Sequence, residues 1–268
     1  MSLLADIVQK KREEIAKLTE AGVPQSAVER SLGRRTIDVP KVLARDIGAP
    51  LRLIAEIKFK SPSAGPLSRK MSAADRGVSY ARAGASMVSV LCDRSFFDGS
   101  YEDLESVRAA LDDAHADVPV LCKEFVLDAA QIDLARARGA DAILLIARIL
   151  DRDELPDLVD AAKSRGLEPL VEIANEEELA RALDTPARVI GVNARDLDTL
   201  AIDSKRAAAL VADLPPDRVA IHLSGVRSEA DLTLVARGRA DGALIGEILM
   251  REEDPSALLA RFADAAWS

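Results

Sequence analysis

Leu51–Leu67 reads LRLIAEIKFKSPSAGPL, an apolar run that carries Glu56 and Lys58 and then breaks into a Ser-Pro-Ser and Gly-Pro segment. Two residues apart on an extended strand, these side chains share one face. A buried ion pair is a poor source of stability, because desolvation offsets most of its attraction, so opposite charges inside a strand point to proton transfer or ligand binding. Other apolar runs end on similar marks: Lys123 and Glu124 in VLCKEF, Glu172 in LVEI, Asn193 and Arg195 in IGVNAR. An acid and a base on opposing strands, here Lys123 and Glu172, can move protons on a ligand held between them. Burial among apolar neighbours with positive charge nearby is expected to make the Lys123 ammonium a readier donor than an ordinary lysine. Late in the chain, HLSGV supplies Ser224 with Gly225, and LIGEILM supplies Gly246 with Glu247. Backbone N–H groups at such glycines can approach an anion.

These residues need a frame that gathers strand ends in one place. A weak internal repeat describes it: ARAGASMVSVLC (Ala81–Cys92), ARARGADAILLIA (Ala135–Ala147) and VARGRADGALIG (Val235–Gly246) each read as a helix end, a glycine turn and a buried strand. Further apolar runs begin at Leu51, Val118, Leu167, Arg188 and Arg218, so that eight strands alternate with helical patterns such as SAADRGVSYARAG and DAAQIDLARARG. Strict alternation, with strands apolar on both faces, calls for a parallel sheet covered by helices. Eight units spread over about 200 residues fit a closed (β/α)8 TIM barrel, with catalysis at the carboxyl ends of the strands. No Gly-x-Gly-x-x-Gly follows the first strand, which removes the main support for a dinucleotide fold. In a barrel, the loops after the last two strands form a recurrent phosphate site, the place of Gly225, Gly246 and Glu247. Residues 1–268 are expected to form one domain, with residues 1–50 a helical extension packed on the barrel.

Composition narrows the partners. The 268 residues are 49% apolar and 30% charged, with only 3% aromatic, and the formal net charge is -9. No basic stretch stands apart from acidic neighbours, which argues against nucleic acid or an anionic membrane as partner. The two cysteines, Cys92 and Cys122, lie in apolar runs without metal-ligand spacing, so they are expected as buried free thiols, with no metal bound. The first residues lack the order of a secretory leader, and no apolar run approaches a membrane span of about 18–20 residues. A cytoplasmic enzyme acting on a small molecule is the expectation.

Taken together, these motifs resemble one family, indole-3-glycerol phosphate synthase. IAEIKFKSPSAG is similar to the family's Glu-x-Lys followed by Ser-Pro-Ser and Gly; SVLCDRSFFDGSYEDL, VPVLCKEFVLDAAQI, GADAILLIARIL, LVEI, IGVNARDLDTL and GEILMREEDP follow in the family's order. The resemblance implies a decarboxylating lyase of tryptophan biosynthesis, closing 1-(2-carboxyphenylamino)-1-deoxyribulose 5-phosphate to indole-3-glycerol phosphate, with no cofactor and as a monomer or weak homodimer. It implies Lys123 as general acid, Glu172 for later proton transfers, Lys58 against the substrate carboxylate or assisting dehydration, and Glu56 as the group orienting Lys58. Asn193 and Arg195 would position substrate, while Ser61, Ser224, Gly225, Gly246 and Glu247 would hold phosphate or ribulose. The chain departs from the pattern at Leu223, where the family usually has a glutamate before Ser-Gly. His222 alternates to the opposite side and is expected to pack between barrel and helices. Two other readings stay open: a paralogue closing a ring on a related substrate, and a catalytically silent barrel that binds a sugar phosphate.

Overall fold

All eight expected runs form strands: β1 (Arg52–Ile57), β2 (Met87–Leu91), β3 (Val120–Lys123), β4 (Ala142–Ile146), β5 (Glu168–Ile173), β6 (Val189–Asn193), β7 (Val219–Leu223) and β8 (Gly242–Ile245). The structure is a computed structural model and describes residues 2–23, 25, 29, 31 and 36–267. Each strand pairs in parallel with the next, and β8 pairs with β1 from Arg52↔Gly242 to Ala55↔Ile245, which closes the barrel. Parallel neighbours need a crossover, and helices supply it, such as Ala73–Arg82 after β1, Ala129–Ala137 after β3 and Glu176–Leu183 after β5. The architecture is the (β/α)8 barrel the alternation calls for.

Short polar residues mark where the crossovers begin. Ser72, Ser100, Asp128, Asn175, Asp203 and Ser228 each accept a hydrogen bond from a first-turn N–H, satisfying donors that a helix start leaves open. Each loop is therefore held at both ends, from the single residue between Ile173 and Asn175 to the long segment between Ile57 and Ser72. Those loops form the rim of the mouth.

Side chains alternate across each strand, and two cores result. Leu53, Val88, Val90, Cys122, Val171, Ile190, Val192 and Ala243 face outward into the layer shared with the helices. Ile54, Met87, Leu121, Leu144, Leu170, Ile221 and Leu244 fill the barrel interior. Period-2 alternation thus assigns every strand residue a side, the mouth residues included. Cys92 and Cys122 are buried free thiols, as expected, with their sulfurs 3.5 Å apart.

The internal repeat has a physical basis in its aspartates. Asp141 precedes β4; its N–H donates to the Val120 carbonyl at 2.9 Å, and its carboxylate accepts the Val120 N–H at 2.9 Å. Asp241 does the same to Ala220 before β8, at 2.8 and 2.7 Å. Each clasp pairs both main-chain groups at the start of the preceding odd-numbered strand. Gly139, just before the first clasp, sits at φ +93°, where a side chain would be strained and a Cβ would lie 2.6 Å from Arg108.

The N-terminal segment reaches both ends of the barrel. Leu4 and Ile7 of helix α1 (Leu3–Ala21), and Val39 and Leu43 of helix α2 (Val39–Leu43), join the same apolar cluster as the barrel interior. After α2, the Arg45 N–H donates to Asp241 at 3.2 Å, at the amino end of β8. Further back, Lys11 of α1 pairs with Asp93 and Glu124, just past the carboxyl ends of β2 and β3. No helix among the described residues is long and apolar enough to cross a membrane.

Asp141→Ala leaves the buried Val120 N–H without its carboxylate. It is expected to lower stability by about 1–3 kcal/mol, read as a shifted urea midpoint with unchanged slope; a midpoint equal to that of the parent protein would show the clasp to be dispensable.

Candidate active site

Alternation places Glu56, Lys123 and Glu172 on the inward side of β1, β3 and β5, at their carboxyl ends. Glu56 is only 1% exposed. One of its oxygens accepts a hydrogen bond from Lys123 Nζ at 2.7 Å, and the other from Lys58 Nζ, just past the end of β1. Burial by itself would raise the carboxyl's pKa, but the ammonium groups of Lys123 and Lys58 outweigh it and hold it down at about 2. Such an approach needs an open position on the neighbouring strand. Gly246 provides it, since a Cβ there would lie 2.3 Å from Glu56 Oε2. The glycine expected to serve phosphate is also what seats this carboxylate.

Lys123 corrects one expectation. Burial does press its pKa down, but Glu56 and then Glu172 outweigh it, and the ammonium is held above the ordinary lysine value. In the resting site it is a firmly charged donor, not a loosened one. Glu172 is held the other way: burial raises its carboxyl above the ordinary range, against the pull of Lys123 and a hydrogen bond from Asn193. The Asn193 Nδ2 group donates to Glu172 Oε1 at 2.8 Å, and Asn193 Oδ1 accepts the Arg195 N–H at 2.9 Å. β6 thus orients Glu172 on β5 and fixes the loop that carries Arg195.

These groups line one cleft of about 960 Å³, its outer part open to solvent. All the expected positions belong to it: Glu56, Lys58, Ser61, Lys123, Glu172, Asn193, Arg195, Ser224, Gly225, Gly246 and Glu247. The SPSAGPL loop folds as a tight hairpin in which Lys60–Ser61 pairs with Gly65–Pro66, and the Ser61 hydroxyl accepts the Ala64 N–H at 3.1 Å. Ser224 and Gly225 have consecutive positive φ angles of 65° and 88°. A left-handed serine at the end of β7 is costly backbone of the kind that collects at binding sites. Glu247 accepts from Arg251 at 2.8 Å, which holds its carboxyl below the ordinary range.

Two features of the cleft were not foreseen. Arg227 lines it beside Arg195, whose pKa is lowered by burial and then by the Arg227 charge, so this wall is strongly cationic. Its signal was the Arg in SGVRS, three residues after Ser224 in the same loop. Phe97 and Phe125 form an aromatic wall, with ring centroids 5.9 Å apart. Both stood in motifs already quoted, but nothing local shows that they meet. Glu124 edges the cleft, while its carboxylate turns to Lys11 and to the Phe125 N–H, at 3.0 and 2.7 Å.

Leu223, where the resemblance places a glutamate, faces inward. The side chain is 1% exposed, pairs across from Asn193 and packs over Gly191, where a Cβ would lie 2.5 Å from Leu223 Cδ1. His222 faces the other way as expected, beside Ala208, Val211 and Val235 of the helical layer, and burial lowers its pKa. Among the described residues, no group of three His, Cys, Asp or Glu side chains is arranged to hold a metal ion.

The comparisons with known proteins fall into two tiers. Among solved structures, the alpha subunit of tryptophan synthase from Legionella pneumophila superimposes with a TM-score of 0.61 at 14% identity, covering 91% of this chain and 99% of that one. Thiamine phosphate pyrophosphorylase from Pyrococcus furiosus gives 0.60 at 14% identity, over 81% of this chain and 95% of that one. At these identities, the likeness is one of fold alone. Sequence relatives are much nearer. The indole-3-glycerol phosphate synthase of Exiguobacterium sibiricum is 39% identical over 263 residues, covering 96% of this chain and 95% of the relative. That of Mycobacteroides abscessus is 45% identical over 226 residues, 82% and 80% of the two chains. The family profile described as Indole-3-glycerol phosphate synthase matches residues 4–262, which takes in α1, every barrel strand and each charged position of the cleft. The chain belongs to the indole-3-glycerol phosphate synthase family.

Proposed function

We propose that this enzyme closes 1-(2-carboxyphenylamino)-1-deoxyribulose 5-phosphate to indole-3-glycerol phosphate, with loss of carbon dioxide and water. The observation that carries the reading is the Glu56 carboxylate shared by Lys58 and Lys123 across the cleft floor, with the Glu172–Asn193 pair on the strands beyond. The substrate bears a carboxylate and a phosphate, and its ketone oxygen must gain a proton as the ring carbon attacks. Lys123 donates that proton, with its charge secured by Glu56 until the carbonyl oxygen becomes the stronger base. Lys58 faces the substrate carboxylate, whose carbon leaves as carbon dioxide and returns its bonding electrons to the ring. Protonation of the remaining hydroxyl and removal of a proton from the adjacent carbon then expel water. Glu172, kept basic by burial, takes up that proton. Ser61, Ser224, Gly225 and the Gly246–Glu247 turn receive the phosphate and sugar end, with Arg195 and Arg227 supplying positive charge.

A second reading has one observation in its favour. Leu223 places an apolar side chain inward at the end of β7, in the barrel interior beside the cleft, where the family motif that the chain resembles carries a carboxylate, which suits a related substrate lacking a polar group at that point.

The direct test is to mix purified protein with the carboxyphenylamino substrate and follow the fluorescence of indole-3-glycerol phosphate. Absence of product would refute the first reading. Lys123→Ala is expected to lower turnover about 100- to 10,000-fold with the fold intact by circular dichroism; near-normal turnover would remove Lys123 as general acid. Glu56→Gln withdraws the charge that raises the Lys123 pKa, so less of the ammonium survives at high pH. The alkaline limb of the kcat/KM profile should move to lower pH, and an unmoved limb would show that this lysine does not govern it. Leu223→Glu should leave turnover of this substrate equal or higher, whereas a large loss would favour the related-substrate reading.

A further inference from the structure

One buried charge beside the cleft has no part in the chemistry above. Lys11 of α1 is 2% exposed and enters the gap between the carboxyl ends of β2 and β3. Its ammonium lies 3.0 Å from Asp93 Oδ2, 3.0 Å from Glu124 Oε1 and 2.6 Å from Glu14 Oε2. Asp93 and Glu124 are themselves 1% and 2% exposed, so three buried charges meet, with Glu14 at the edge.

Each buried carboxylate has a second partner, and those partners are the aromatic wall. Asp93 Oδ1 accepts the N–H groups of Phe96 and Phe97 at 2.7 and 3.2 Å, starting the short turn that carries Phe97. Glu124 Oε1 accepts the Phe125 N–H at 2.7 Å. Glu124 also directly follows Lys123. One ammonium thus spans the two loops that bring Phe97 and Phe125 together.

The charge balance makes the ammonium hard to replace. Burial works against Lys11, yet Glu124 and Asp93 hold its pKa above the ordinary lysine value. Glu124 is raised to about 7, by burial first and with Asp93 adding to it against the pull of Lys11. Without the cation, Asp93 and Glu124 would be like charges in a dry site with only repulsion between them.

We propose that Lys11 is a positioning residue, which ties Asp93 to Glu124 and so sets the Phe97–Phe125 wall, against which the substrate's benzene ring lies, relative to Lys123. The inference rests on the ring-closing reading for the identity of that ring. It makes α1 part of the active site without a side chain that touches substrate.

Two binding probes test it apart from turnover: anthranilate for the ring end, by fluorescence titration, and inorganic phosphate for the far end, by competition. Lys11→Met, shown folded by circular dichroism, should weaken anthranilate about 10-fold and leave phosphate within about twofold. Its kcat should fall about 100-fold from misplacement alone, with Lys11→Arg restoring most of it. Unchanged anthranilate binding, equal weakening of both probes, or no recovery with arginine would each overturn the proposal. If Lys11→Met does not fold, Glu124→Gln keeps an acceptor for the Phe125 N–H but removes the charge facing Lys11. It should weaken anthranilate selectively, and unaltered binding would equally overturn the role. A parent protein that binds anthranilate but makes no product would refute the ring-closing reading and leave this one standing.

Discussion

The site depends on a single carboxylate kept ionised where burial would neutralise it. Glu56 stays charged because two lysines reach it, one on each oxygen, and it in turn helps hold Lys123 in its charged form. Take away Glu56 and the two lysines lose the carboxylate that joins them, leaving like charges side by side. Much of the surrounding geometry serves this triad. The carboxyl ends of β1 and β3 present the two long side chains inward, and just past β8 Gly246 leaves open the place where the carboxylate must sit. Across the mouth, Asn193 holds Glu172 in one orientation, so that its raised pKa belongs to a fixed group instead of a wandering one.

The sides of the barrel set different demands on sequence. The interior below the mouth is filled by aliphatic residues, while the layer of polar groups sits only at the strand ends. The same alternation that buries Leu170 beneath Glu172 also turns His222 toward the helical layer and Leu223 into the barrel interior. On that inner face Leu223 packs over Gly191 and adds to the aliphatic filling instead of the polar layer.

Strand positions and their inward residues were legible because they follow from local rules: period-2 alternation, glycine turns and short polar caps. Glu56, Lys123, Glu172 and Asn193 could be placed on one face of one cavity on those grounds alone. The direction of the Lys123 pKa could not, because its counter-ion stands 67 residues earlier in the chain and only the closed barrel brings the two together. Phe97 and Phe125 escaped notice for a similar reason, as did the contact of Lys11 with β2 and β3. Arg227 was hidden by a milder difficulty: an arginine in an exposed loop looks like ordinary surface until the neighbouring loop is in place.

The seam between β1 and β8 carries a consequence for the order of events in synthesis. Glu56 emerges early, yet the backbone that seats its carboxylate is Gly246, near the end of the chain, and domains are made from the N-terminus onward. A growing chain therefore holds its acid and its two lysines, once Lys123 is made, for nearly half of translation without the segment that completes their pocket. Competence arrives only when the last strand docks on the first, so an unfinished or truncated barrel has every proton donor in hand and no assembled site in which to use them.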